Sequence, residues 1–274
     1  MKVLFYPKKL VPGQKLWYYL RHLGVEWTND INDDDITIAV HTDYKNSNSL
    51  SEEMEKKRSI AGIRIINEHC NNVKKDHVDS VFTDVFGYSS FVDPTTHYGC
   101  CVIKSTQQAI HNGRIIECPI HPNDVDLRIR RSVTGEIHKR VYQKLIDTRF
   151  EKDKLREIRI PIINGNIPLL FIKELGVLNT FHPYPENHYK VYVDYDIGRW
   201  IKPDEVSKIL EFTVQVGLEF GELDFLRDNS TGLGYIVDIN NIPMGSLFSH
   251  LPNEDEIVGY LSNMFYNEFL KELK

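Results

Sequence analysis

Residues Gly221 to Ser246 read GELDFLRDNSTGLGYIVDINNIPMGS, and no other segment constrains the architecture as much. Two apolar runs flank a turn between Asp228 and Gly234. Asp224 lies near the end of the first run, and Asp238 and Asn240 close the second. A hairpin brings those ends together, so two carboxylates and an amide oxygen converge on one point. Oxygen donors grouped in this way suit Mg²⁺, which binds one or two carboxylates together with substrate phosphates. Leu223, Phe225, Val237 and Ile239 flank the two acids, which implies strands with one buried face. Half-buried carboxylates want a cation.

Working upstream, Pro203, Asp204 and Glu205 open a helix whose apolar face is Val206, Ile209, Leu210, Thr213, Val214 and Gly217. Ile158 to Ile163 and Ile167 to Ile172 flank Asn164-Gly165, the pair that supplies both positive φ values of a type I′ hairpin turn. Thr180 to Asp196 is rich in Pro, Tyr and His and predicts a long loop with some strand. Arg140 to Ile146 reads as a strand. Cys101 to Ile120 reads as a hairpin around His111-Asn112-Gly113, with Lys104 at the inner end of its first strand. Val73 to Val85 predicts a helix. Val3 to Tyr6, Ile36 to Val40 and Ile63 to Ile66 are apolar runs separated by helical patterns, the second of which opens with Ser49 three before Glu52. That alternation predicts a small α/β unit with a parallel sheet. Downstream, Glu254 to Leu273 predicts one amphipathic helix carrying Ile257, Leu261, Phe265 and Phe269.

The chain has 274 residues, 41% hydrophobic and 26% charged, the composition of a soluble globular protein of one to three domains. No apolar run is long enough to span a bilayer, and the opening MKVLFYPKKL is a first strand rather than a signal peptide, so the expected location is the cytoplasm and no membrane partner is expected. A net charge of −6 argues against nucleic acid as a partner. Arg128, Arg130 and Arg131 form one dense basic cluster, either a solvated face or a group near phosphates. Cys70, Cys100, Cys101 and Cys118 lack zinc-site spacing and read as reduced thiols. Eleven histidines scatter without a metal-binding spacing, and His182, His188 and His250 read as exposed polar residues.

The order of elements resembles the ATP-grasp superfamily. A lysine-bearing hairpin, the strand VYQKLI, the hairpin EIRIPIINGNIPLLFIKE, a helix, and then D-x(13)-D-x-N-x-x-P ending at Pro243 carry the resemblance. It covers roughly residues 62 to 274. It implies an α+β fold in which two subdomains clasp ATP, preceded by a small α/β domain: residues 1–72, then 73–142 and 143–274. It implies ATP and Mg²⁺ (or Mn²⁺) as cofactors, with Asp224, Asp238 and Asn240 as metal ligands. Lys104 matches the lysine that contacts the nucleotide phosphates, and Lys74 or Lys75 an earlier phosphate-contacting lysine. Gln143, Lys144, Leu145 and Ile146 match the hinge strand whose main chain reads adenine, and Glu151 or Asp153 would accept the ribose hydroxyls. Arg159 and Lys173 match cations that meet phosphate or an acyl phosphate.

What the resemblance implies for function is a carboxylate–amine ligase acting on small-molecule or peptide substrates through an acyl phosphate. A homodimer is a further expectation, since related enzymes often form dimers. Two alternatives stay open. Glu222 stands where ligases often carry arginine, and Asp238 where they often carry glutamate; the inositol-phosphate kinase branch has Asp there, which keeps a small-molecule kinase in view. The loop after Lys104, STQQAIHNG, is poor in glycine, which keeps a non-catalytic nucleotide-binding homologue in view.

Overall fold

The structure, a computed structural model, describes residues 1–42, 52–106, 113–125, 128–129, 138–176 and 189–273. The Ser49 cap, most of the loop after Lys104, Arg130, Arg131, and the segment from Thr180 through His182 to His188 lie outside the described residues.

The N-terminal strands are short, and the central two, residues 2–6 and 36–41, are apolar because both their faces are covered. They are β1 (Lys2–Tyr6), β2 (Glu26–Thr28), β3 (Ile36–His41) and β4 (Arg64–Ile66), with α1 (Lys15–Leu23) and α2 (Glu52–Ala61) between them. They form a parallel sheet in the order β2-β1-β3-β4. The strand β2 adds to the three expected ones. Its sequence, Glu-Trp-Thr, has no apolar run to announce it, and it pairs only at the sheet edge.

Helix α3 (Lys75–Phe86) leads into a second sheet made of β5 (Gly99–Ser105), β6 (Arg114–Cys118), β7 (Arg128–Ile129) and β8 (His138–Lys144), antiparallel in the order β6-β5-β8-β7. The chain leaves this sheet at Lys144, two residues before the expected end. There the Leu145 N–H donates to Cys100 O at 3.0 Å, and the Ile146 side chain turns into the core.

The largest sheet holds β9 (Arg149–Glu151), β10 (Lys154–Ile163), β11 (Leu170–Gly176), β12 (Tyr189–Asp194), β13 (Phe220–Arg227) and β14 (Gly234–Asn240). Its order is β12-β11-β10-β13-β14, with β9 paired to β10. Asn164 and Gly165 adopt φ of 48° and 74°, the two left-handed positions of the expected turn. Pro161, which has no N–H to give, falls beyond the last β10–β11 pair, Arg159↔Phe171, so no ladder is broken on that side. Helices α3 and α4 (Pro203–Gln215) cover one face, where Val78, Phe82, Ile209 and Phe212 pack on Ile158, Ile160, Leu223 and Ile239.

The other face is closed by α1 and α5 (Glu254–Phe265). Tyr19, Phe171, Phe220, Phe248 and Phe265 form one core with Val3, Phe5 and Val40 of the N-terminal sheet. The final helix is not uniform. After Phe265 it widens into a π turn, Tyr266–Leu270, and ends in a 3₁₀ turn, Lys271–Leu273. Widening to i→i+5 sets Leu270 under Phe265, so Phe265, Phe269 and Leu270 all stay buried.

Candidate functional site

The Gly221–Ser246 hairpin forms as the sequence implies, with β13 antiparallel to β14 and Asp224 directly opposite Asp238. The register shifts just past this pair, from Asp224↔Asp238 to Phe225↔Ile236, which leaves Val237 as an extra residue on β14. Such a bulge re-aims side chains. It lets Ile236 and Ile239 both enter the core while Asp238 and Asn240 share the face of Asp224.

On the adjoining strand, Arg159 sits opposite Asp224 and donates to its Oδ1, which also accepts the Asn240 amide at 3.0 Å. Lys75, at the start of α3, reaches Asp238 Oδ2 at 3.4 Å. Burial pushes the Asp224 carboxyl up to about 7, against the pull of Arg159 and with added repulsion from Asp238, Glu157 and Glu222. Burial works against the Arg159 charge, but the same carboxylates outweigh it and hold the guanidinium above its ordinary value. Among the described residues no three His, Cys, Asp or Glu side chains form a self-contained metal cage. Two carboxylates and an amide leave coordination positions that a bound phosphate would have to fill.

Asp224, Asp238, Asn240, Arg159 and Lys173 line one cavity of about 570 Å³. Lys173, opposite Glu157 on the β10–β11 ladder, holds Glu157 Oε2 at 3.4 Å and lies 4.9 Å from the Tyr189 ring centroid. Tyr189 in turn hydrogen-bonds His250 Nε2 at 2.8 Å. Gln14 from the N-terminal unit and Met244 reach the same wall.

Glu222 also lines this cavity, yet it is almost fully buried. Its partner is Lys15, the first residue of α1, which is equally buried and lies 3.7 Å from the Phe171 ring centroid. Burial pulls the Lys15 ammonium down, and Glu222 opposes that pull. The backbone around Lys15 is stitched down as well. Lys15 N–H donates to Pro243 O at 2.9 Å and Gly245 N–H to Gly13 O at 2.6 Å. A side chain at Gly245 would meet the Tyr18 ring at 2.6 Å, so only glycine permits this approach.

A second cavity, of about 400 Å³, is lined by Lys104, Gln143, Lys144, Leu145 and Ile146. Glu157 belongs to its wall and pairs with Lys173 of the first, so the two cavities meet at β10. Lys104 Nζ donates to Gln143 Oε1 at 2.7 Å, Gln143 Nε2 donates to Ser90 Oγ at 2.9 Å, and Ser90 Oγ donates to Asp79 Oδ1 at 2.7 Å. These hydrogen bonds occupy the Gln143 side chain. Burial and the neighbouring Lys75 lower the Lys104 ammonium from its ordinary value, and Asp238, Asp224 and Glu157 oppose them. The Lys144 N–H is held by Ser90 O at 2.9 Å, whereas no hydrogen bond to the Ile146 N–H occurs among the described residues. Lys144 Nζ points away to Asp228 Oδ2 at 3.0 Å.

Glu151 is not brought to either cavity. Its side chain is 55% exposed and pairs with Lys154 at 2.6 Å, because β9 is an edge strand that turns outward. Glu157 is the acid that β10 presents instead. The alternation of Leu155, Glu157 and Arg159 on one face could have shown it from sequence. Lys15, Gln14 and Tyr189 left no such signal.

No protein-family model matches the chain, and no curated protein matches it in sequence. Solved structures do match it. The ATP-grasp ligase PsnB, in complex with minimal precursor, superposes with a TM-score of 0.61 at 13% identity, over 97% of this chain and 98% of that one. The chain has the ATP-grasp fold. D-alanine–D-alanine ligase from Bacillus anthracis, complexed with ATP, gives 0.59 at 12% identity over 100% of this chain and 98% of its own. The macrocyclase MdnC, bound with precursor peptide MdnA from Microcystis aeruginosa MRC, gives 0.52 at 12% identity over 97% and 99%. Among the described residues no helix is long and apolar enough to cross a membrane.

Proposed function

We propose that this ATP-grasp chain is an ATP- and Mg²⁺-dependent carboxylate–amine ligase. The observation that carries the reading is the junction of the two cavities. A cation-lined hinge cavity runs into a facing pair of carboxylates with Asn240 beside them. The donors fit the metal, since all are oxygens and the Asp224 carboxyl is raised by burial first and by surrounding acids after it, a cost that a divalent ion relieves. Bound Mg²⁺ would neutralise phosphate charge during transfer.

Asp224, Asp238 and Asn240 would hold the ion (Mg²⁺ or Mn²⁺). The main chain from Gln143 to Ile146 would read adenine, with the Ile146 N–H as a donor. Lys104 and Lys75 would sit on the phosphates as point charges. Arg159 and Lys173 would orient the acceptor carboxylate and steady the acyl phosphate as it forms. An amine entering past Tyr189 and Met244 would displace phosphate to leave an amide. Neighbours of this fold are described with precursor peptides and with ATP, so a peptide or a small molecule fits the acceptor role.

The test is direct. Calorimetry with MgATP and MgADP is expected to give binding that Asp238→Ala with Asn240→Ala abolishes; intact nucleotide binding in that variant would refute the metal assignment. A second reading, a kinase acting on a hydroxyl, is favoured by Asp238 and by Glu222, whose charge is spent on Lys15. Following the γ-phosphate separates the two, because a ligase releases it free and a kinase leaves it on the acceptor.

A further inference from the structure

We propose that a second ligand site, for a small molecule bearing a carboxylate or phosphate group, lies on the opposite face of β10 from the cleft. Along β10, Leu155, Glu157 and Arg159 face the cleft, and Arg156 and Ile158 face away. There a cavity of about 310 Å³ opens, at the low end of the range for small-molecule sites. Its wall carries Arg149, Arg156, Arg199 and Arg227 and no carboxylate.

The acids that balance these cations sit behind them. Asp147 holds Arg149 at 2.7 Å, Glu174 holds Arg156 at 2.8 Å, Asp194 holds Arg199 at 3.4 Å, and Glu205 holds both terminal nitrogens of Arg227. Carboxylates placed behind guanidiniums orient the forks and leave the cavity side basic. Arg156 is further fixed between two rings, 3.7 Å from the Phe150 centroid and 4.8 Å from that of Trp200.

A separate observation points to a ligand. Arg156 Nε is buried and has no hydrogen-bond partner among the described residues. A buried donor left unmade costs about 1–3 kcal/mol, and more when it carries charge. An oxyanion seated in this cavity would accept from the guanidinium groups that line it, and a small turn of the Arg156 side chain would bring Nε into the same contact. The volume exceeds that of a bare inorganic ion, so a small organic acid or phosphate ester is the class of ligand that fills it. Thr148 and Arg149 belong to this wall and to the hinge cavity as well, so an occupant here touches the segment that frames the nucleotide cleft.

The experiment is thermal unfolding of the whole chain at constant ionic strength, titrated with inorganic phosphate, glycerol 3-phosphate or succinate, each with and without saturating MgADP. A saturable rise in Tm is expected for the native chain in both conditions, since a ligand of the folded state stabilises by mass action. Arg156→Met is expected to abolish it and Arg199→Gln to weaken it about tenfold. The phosphate and succinate arms tell which anion the site prefers. No saturable rise in the native chain overturns the proposal, as does an unchanged rise in folded variants. Should Arg156→Met fail to fold, Arg199→Gln decides, because that side chain is 66% exposed and its ion pair with Asp194 is long. A missing response to MgADP alone counts against the nucleotide reading and leaves the dependence on the arginines to judge this one.

Discussion

At the scale of single residues, the hydrogen-bonded row from Asp79 through Ser90 and Gln143 to Lys104 holds one ammonium on the wall of the second cavity, where the proposed function puts the nucleotide phosphates. Ser90→Ala breaks the row in its middle without removing a charge. It is expected to weaken MgATP binding about fivefold, the worth of one hydrogen bond. The same substitution in a Lys104→Ala background is expected to change nothing further, because Ser90 acts through Lys104. Calorimetry of the four proteins in the cycle checks this; additive losses would make Ser90 a purely structural residue. The acids of the hairpin were legible in the sequence because each lies between apolar neighbours within a strand. Asp79 was not, since a lone acid on a helix announces no partner, and its three acceptor bonds come from Ser89 and Ser90 across a turn.

At the scale of elements, the type I′ hairpin and the β13–β14 hairpin followed from turn chemistry and alternation. The bulge at Val237 and the π turn after Phe265 did not, because one inserted residue is invisible in a pattern of period two or 3.6. The turn of β13–β14 is tied to the hinge strand by Lys144 and Asp228. Burial works to raise Asp228, but the Ser230 hydroxyl and the Lys144 ammonium outweigh it and bring the carboxyl down to about 2. A depressed carboxyl stabilises the fold above its unfolded value near 4, and that share is lost as pH falls toward 2. Denaturant unfolding is therefore expected to show about 2 kcal/mol less acid sensitivity between pH 4 and 2 in Asp228→Asn than in the native chain. Equal acid limbs for the two proteins would remove this pair from the account of acid stability.

At the scale of the molecule, the N-terminal sheet shares its core with the largest sheet, and Lys15 and Glu222 cross that contact as a buried pair. Lys15→Met would leave the buried Glu222 without its ion-pair partner, at an expected cost of about 3–5 kcal/mol, while Lys15→Met with Glu222→Leu should recover most of it. Urea unfolding of the two variants reads the difference, and equal losses would argue that Lys15 acts by packing on Phe171 alone. None of this was visible in the sequence, where the two residues stand 207 positions apart. That separation has a consequence for anyone recombining this scaffold. A chimera that takes its first seventy-odd residues from one parent and its hairpin from another inherits half of an ion pair, and with it either a stranded acid or a stranded base beneath the cavity. Crossovers of that kind should succeed only when both parents carry matching charges at these two places, so the pair works as a compatibility key between the two ends of the chain.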